Sequence, residues 1–326
     1  MSKTKKITAI VFAAVFAFLS ILMIFWYFGE SYGDFYTIAS KEFSIPGLND
    51  GFTPQGLCYE EKHDIFLASG YMNNGSASRI YVIDATTYKT EKYFTLTDYD
   101  GSDYTGHAGG IATNGENVWV CGDGNVLRFD FFKIENAENG SAVEILDTFD
   151  SPNGADFVTI EENYIWIGEF HKDGDYDTNS THHITTANRK TNKALSFCYE
   201  INTGNQYGLA STTPIKLLST PSLVQGMEIL NGKIVLSSSY SLAKSNISIY
   251  ENILAVNAQK TFSYQGFDIP LYVLEDKNLT KNIEAPCMSE EIAHVNGRIY
   301  VLFESACQKY GFVTRESLRN VYSFKI

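Results

Sequence analysis

Scored as apolar and polar positions, the chain falls into one pattern that returns five times. The copy at Thr53–Asp84 sets it. An apolar run opens on Gln55-Gly56, a second follows at Ile65-Phe66-Leu67, and a third, Ser78–Ile83, comes after a Gly/Asn/Ser loop. The opening pair recurs as Gly109-Gly110, Ala155-Asp156, Gln225-Gly226 and Glu290-Glu291, each just ahead of an apolar strand. Second runs follow at Val118-Trp119-Val120, Ile165-Trp166-Ile167, Ile234-Val235-Leu236 and Ile299-Tyr300-Val301. Short β-branched and aromatic runs, split by Gly and Asn turns at a steady period, are how propeller blades are written in sequence. The expectation is an all-β, five-bladed β-propeller over residues 35–326. Six blades would follow if Ile184–Ser219 formed a blade of its own.

The two ends of this pattern are incomplete. Phe35–Ile45 reads as one isolated strand, and the fifth repeat stops at its third strand, Val321–Ile326. A propeller closes by letting one terminus complete the other's blade, which removes an open sheet edge. The N-terminal strand is therefore expected on the outside of blade 5. Outer strands of the other blades are expected near Lys92–Leu96, Val143–Asp147, Ile215–Leu218 and Leu271–Glu275.

Ahead of the repeats, a basic tail (residues 1–6) precedes Ile7–Phe28, 22 residues without a charge. That run is long enough to cross a bilayer as a helix. Trp26-Tyr27 suits an interface, and no small-residue cleavage site follows, so an uncleaved anchor is favoured over a signal peptide. Lys3, Lys5 and Lys6 would hold the N-terminus in the cytoplasm. After a linker at 29–34, the propeller would then lie outside the cell membrane; a cleaved leader would make it secreted. The net charge of −13 falls to −16 without those three lysines. So acidic a surface excludes nucleic acid as a partner. Cys58, Cys121 and Cys198 fall in strands as small hydrophobes, whereas Cys287 and Cys307 are expected near one rim, where an oxidising compartment would permit a disulfide.

Blade register places the candidate chemistry. Inner strands start, and second strands end, on one face, so Gln55, His107, Asp156, Gln225, Glu290 and Glu291 are expected around one channel mouth. Glu169, His171 and Glu304 join them from second-strand ends, and His182-His183 from the long loop Phe170–Ala194. Gly56, Gly110 and Gly226 are read as steric, letting inner strands crowd the axis. Three carboxylates at a narrow mouth repel unless a cation sits among them. Arg315 or Arg319 is one candidate. A bound Ca²⁺ held by Asp156, Gln225, Glu290 and Glu291 is the other. Two functions follow. One is a module binding a small molecule, glycan or protein through Gln55, Glu169, His183 and Glu304. The other is a metal-dependent hydrolase of a small ester, lactone or phosphoester, with His107 as acid or base. Asp173–Asn179 spaces oxygens like the start of a calcium loop but has Ile184 at the twelfth place, so a solvated acidic loop is the simpler reading.

At fold level these positions resemble the gluconolactonase and paraoxonase group, six-bladed calcium-dependent hydrolases. That resemblance implies a channel Ca²⁺ on Gln55, Asp156, Gln225 and Glu290 or Glu291. The elements Pro54-Gln55-Gly56, Gly106–Ile111, Ser180–Thr186, Met288–Ile292 and Leu302–Ser305 resemble a group of secreted bacterial propellers, implying a fold and a location but no activity.

Overall fold

The computed structural model describes residues 3–28, 32–230 and 232–326. Five sheets are arranged as blades. Blade 1 runs outward through Phe52–Glu60, Ile65–Met72, Arg79–Asp84 and Thr90–Thr97. Blade 2 is Ala108–Thr113, Asn117–Gly122, Asn125–Asp130 and Asp147–Phe149. Blade 3 begins Phe157–Glu161, Tyr164–Gly168, Ala194–Glu200 and Lys216–Thr220; blade 4 is Val224–Leu230, Lys233–Ser238, Ser245–Glu251 and Leu279–Ala285. Blade 5 is Ser289–Val295, Arg298–Phe303 and Asn320–Lys325, completed by Ser40–Ser44 from the other end of the chain. Among the described residues no sixth blade forms, because Ala194–Glu200 and Lys216–Thr220 pair within blade 3.

Five hydrophobic clusters among the described residues account for the ring. Each lies between two successive blades, the last between blades 5 and 1, where Phe43 meets Phe66. Each blade therefore buries both faces against its neighbours. This is why central strands such as Val118-Trp119-Val120 read as unbroken apolar runs rather than alternating ones.

Several expected strands lie elsewhere. Residues 35–38 are not extended: Gly33–Ile38 is a short helix, because Phe35 turns into the crevice between blades 4 and 5 and packs on Phe303 and Tyr322 at 6.0 and 5.7 Å. The run at 143–147 is divided. Ala142–Glu144 adds to blade 1, parallel to its outer strand, and only Asp147–Phe149 serves blade 2. Leu271–Glu275 does not close blade 4; Phe267–Val273 extends blade 3 in parallel, burying Leu271 and Val273 beside Leu217. The true closing strand, Leu279–Ala285, buries only Ile283 and Ala285. An edge strand that is mostly exposed carries little apolar signal.

At the N-terminus a helix is described over Lys3–Phe28. Among the described residues no helix is long and apolar enough to cross a membrane. Met1 and Ser2 of the expected tail, and residues 29–31 of the expected linker, lie outside the described residues. All five cysteines are buried and none is in a disulfide, so Cys287 is not joined to Cys307.

Closure by Ser40–Ser44 gives a direct test. Replacing the buried Phe43 with alanine removes its contacts with Phe66 and Tyr88 at 4.9 and 5.4 Å. Denaturant unfolding is expected to show a loss of about 3–5 kcal/mol. An effect under about 1 kcal/mol would mean that this strand does not hold the ring shut.

Candidate functional site

Four of the five inner strands carry a register shift where they approach the axis, at Pro54/Gly56, Ala108/Ile111, Val224/Gly226 and Ser289/Ile292. Each shift falls at the repeated opening pair. Bulges turn backbone N–H groups out of the ladder, and these need an acceptor. Glu291 supplies it. Its carboxylate accepts from Leu57 N at 2.9 Å and Ile111 N at 2.7 Å, and also from Val158 N at 3.4 Å in the unbulged inner strand of blade 3, so one side chain ties blade 5 to blades 1, 2 and 3. The glycines are spaced for this approach. A Cβ on Gly110 would stand 2.6 Å from Phe157 Cα, and one on Gly226 would stand 2.7 Å from Glu291 Cα.

Above this layer the channel opens into a cup of about 550 Å³. Gln55, His107, Asp156, Gln225, Glu290 and Glu304 all line it, one or more from each blade. Glu291 does not: it is 1% exposed and spent on the three N–H groups. Nor does Glu169, which is buried behind the long loop, bound by His182 Nδ1 at 2.9 Å and Leu195 N at 2.8 Å. His183 also belongs to that loop. Thr178 Oγ1 links it to His171, at 3.2 and 3.1 Å respectively.

Register placed strand positions but undervalued aromatic ones. Tyr71 lines the cup from the end of blade 1's second strand, the position of Glu304 in blade 5, so the same signal would have found it. Phe170, Tyr176, Tyr240, Lys309 and Tyr310 come from loops whose folding no local pattern announces. Lys309, not Arg315 or Arg319, is the cation that acts on Glu304. Arg319 instead donates to Asn49 Oδ1 at 2.8 Å.

The cup is acidic but poorly solvated. Gln55 Nε2 donates to Glu304 Oε2 at 2.9 Å. Burial raises both Glu304 and Glu290, and Glu290 rises further because the Glu304 carboxylate stands against it; the two share a proton. Asp156 faces the water of the cup yet is ringed by protein. That desolvation lifts it to about 7, against the pull of the Phe170 N–H at 2.6 Å. The His107 ring lies tilted against that of Tyr71, centroids 5.1 Å apart, and the surrounding protein lowers the imidazole below its ordinary range by desolvation. At the opposite mouth Glu228 is lifted by burial to about 8.

Calcium fits this arrangement badly. It takes six to eight oxygens at close range, and Glu291 is already committed. Among the described residues, the group of three or more His, Cys, Asp or Glu side chains with ligand atoms within 4.8 Å of one another is His171, Asp173 and Asp177, on the long loop outside the cup. There Asp173 is held by Lys193, and His171 by Thr178.

These features define a five-bladed β-propeller with a polar, aromatic-rimmed cup at one mouth. No protein-family model matches the chain, and no curated protein matches it. Among solved structures it is similar to glutaminyl cyclase of Myxococcus xanthus, with 12% identity, a TM-score of 0.44, and coverage of 88% of this chain and 97% of that one. It is also similar to BamB of Moraxella catarrhalis, with 7% identity, a TM-score of 0.35, and coverage of 84% and 83%. At such scores the likeness carries no argument, and the propeller assignment rests on the sheets themselves. The resemblance to gluconolactonases and paraoxonases gains no support from these comparisons.

Two outcomes follow. Glu291→Leu should cost about 3 kcal/mol or more in denaturant unfolding by orphaning three N–H groups, while Glu291→Gln, which keeps an acceptor, should cost far less. Equal effects would show that the carboxylate is not the tie. Asp156 and Glu228 sit above the ordinary carboxylate range when folded, so their contribution is complete below about pH 4 and is lost as pH rises through about 7–8. The unfolding temperature should fall between pH 5 and pH 8.5, and Asp156→Asn with Glu228→Gln should flatten that fall. A rise over that range would contradict the assignment.

Proposed function

We propose that this chain is a ligand-binding propeller held at the outer face of a cell membrane by its N-terminal helix, with the cup as its binding site. One observation carries the binding reading. The cup gathers side chains from all five blades and two long loops around a volume within the range of small-molecule sites, with a few polar groups set among aromatic rings. Anchoring draws on the 22-residue uncharged run and on the exposed apolar side chains of Ile10, Phe12, Phe16 and Phe18. Apolar surface of that extent calls for a cover. On this reading Gln55, Gln225 and His107 orient the ligand, Glu304 and Glu290 hold its polar end, and Glu169 and His183 shape the loop above it.

A hydrolytic reading has one point in its favour, a His107 at the mouth whose imidazole desolvation holds below its ordinary range. Among the described residues, however, no hydroxyl or thiol is hydrogen-bonded to its ring, so the nucleophile–base geometry of covalent catalysis is missing. Binding is therefore the better account.

Saturation-transfer NMR of the full chain in micelles, against small sugars, amines and carboxylates, tests the proposal. Ligands that lose saturation in a His107→Ala, Tyr71→Ala variant are expected. If every ligand keeps its signal in that variant, or none gives one, the cup is not the site. Intact mass of the membrane-extracted protein tests the anchor: loss of roughly the first 30 residues would mean a cleaved leader and a secreted protein.

A further inference from the structure

The cup offers four carboxyl groups, Asp123, Asp156, Glu290 and Glu304, against one ammonium, Lys309. Two of the four form a buried acid pair. Glu290 is 3% exposed and lines the cavity, and its carboxyl is hydrogen-bonded to that of Glu304, so two acidic groups stand side by side with little water around them. Like charges so placed are costly, and a bound group carrying N–H donors or positive charge would relieve them. Above this floor the rim is built from ring faces, and the chain already rests its own ammonium groups on them. Lys309 Nζ lies 4.9 Å from the Tyr310 ring centre while donating to the Tyr71 hydroxyl at 3.1 Å, and Lys172 Nζ lies 5.2 Å from the Tyr240 ring centre. Both ring distances are within cation–π range.

We propose that the ligand is an organic cation. Its primary or quaternary ammonium group is seated over Glu290 and Glu304, and its carbon shell lies against Tyr71, Tyr240 and Tyr310. This rests on the cup being the binding site, and it names the chemistry that site selects. A metal ion is a poorer match, since Ca²⁺ gains nothing from aromatic faces and needs convergent oxygens that the cup does not present. An anionic ligand would have Lys309 alone to meet it and four carboxyl groups to oppose it. The ammonium displaces the Lys309 head group from Tyr71 and Tyr310; that side chain is exposed and on a long stem, so it can withdraw into solvent.

Calorimetric titration of the full chain in micelles compares choline, butylamine, the uncharged carbon isostere of choline, butyrate, calcium chloride and a capped lysine amide. Choline or butylamine is expected to bind at least roughly tenfold more tightly than the uncharged isostere. Glu304→Gln should weaken the cation by roughly tenfold. Lys309→Met should tighten it by removing the resident competitor. If Glu304→Gln does not fold, Tyr240→Leu at the rim serves instead and should weaken choline while leaving the isostere unchanged. Preference for the capped lysine amide over the free amines would support the proposal with a protein side chain as the source; the reverse preference would support it with a free metabolite. Equal binding of the isostere, or butyrate binding that Lys309→Met abolishes, would overturn the cation while leaving the cup as a site. Binding of calcium chloride alone would also overturn it. Binding of none of the probes, together with a blank NMR screen, would overturn both.

Discussion

Five inner strands cannot meet at an axis without a solution for the polar backbone they bring there. In this propeller the solution is the buried Glu291 carboxylate, which accepts N–H groups from the inner strands of three other blades. The bulges at the Leu57 and Ile111 N–H groups, and the glycines that let the strands approach to within contact of Glu291 and Phe157, are parts of the same device. A charged group so deep is unfavourable by itself, and its carboxyl is pushed well up by burial. It is tolerated because an unpaired buried N–H in each of three strands would cost more.

The cup inherits its properties from that layer. With the axis sealed below by Glu291, groups at the mouth face a blind pocket instead of an open channel. Water reaches them from one side only. That is why Asp156, Glu290 and Glu304 are all raised, although none is beyond reach of solvent from above. A floor of half-neutral acids under an aromatic rim is a different object from a ring of ionised carboxylates around a metal. The distinction rests on desolvation, not on residue type.

The loops divide into walls and rim. His171, Thr178 and His183, with Glu169 and His182 beneath them, pin residues 170–193 to blade 3 through buried hydrogen bonds. Phe170 and Tyr176 thereby reach the mouth. The histidines of this loop hold a wall in place.

The sequence by itself determined the five blades, the closure between the two ends, and which of the repeated pairs lie near one mouth. Each depends on local periodicity, and a period of two decides which face a side chain takes whatever the rest of the chain does. It did not determine which of two adjacent acids would enter the cup. Glu290 and Glu291 are neighbours on one strand, and the bulge between Ser289 and Ile292 turns one to the cavity and the other to the axis. Edge strands were misplaced for a related reason: Leu279–Ala285 and Ala142–Glu144 bury so little that their apolar pattern fades. Lys309, Tyr310 and Tyr240 were beyond its reach, because a loop's path is set by what it packs against. Only the tertiary structure, by bringing loop aromatics over strand carboxylates, decided what the mouth is suited to hold.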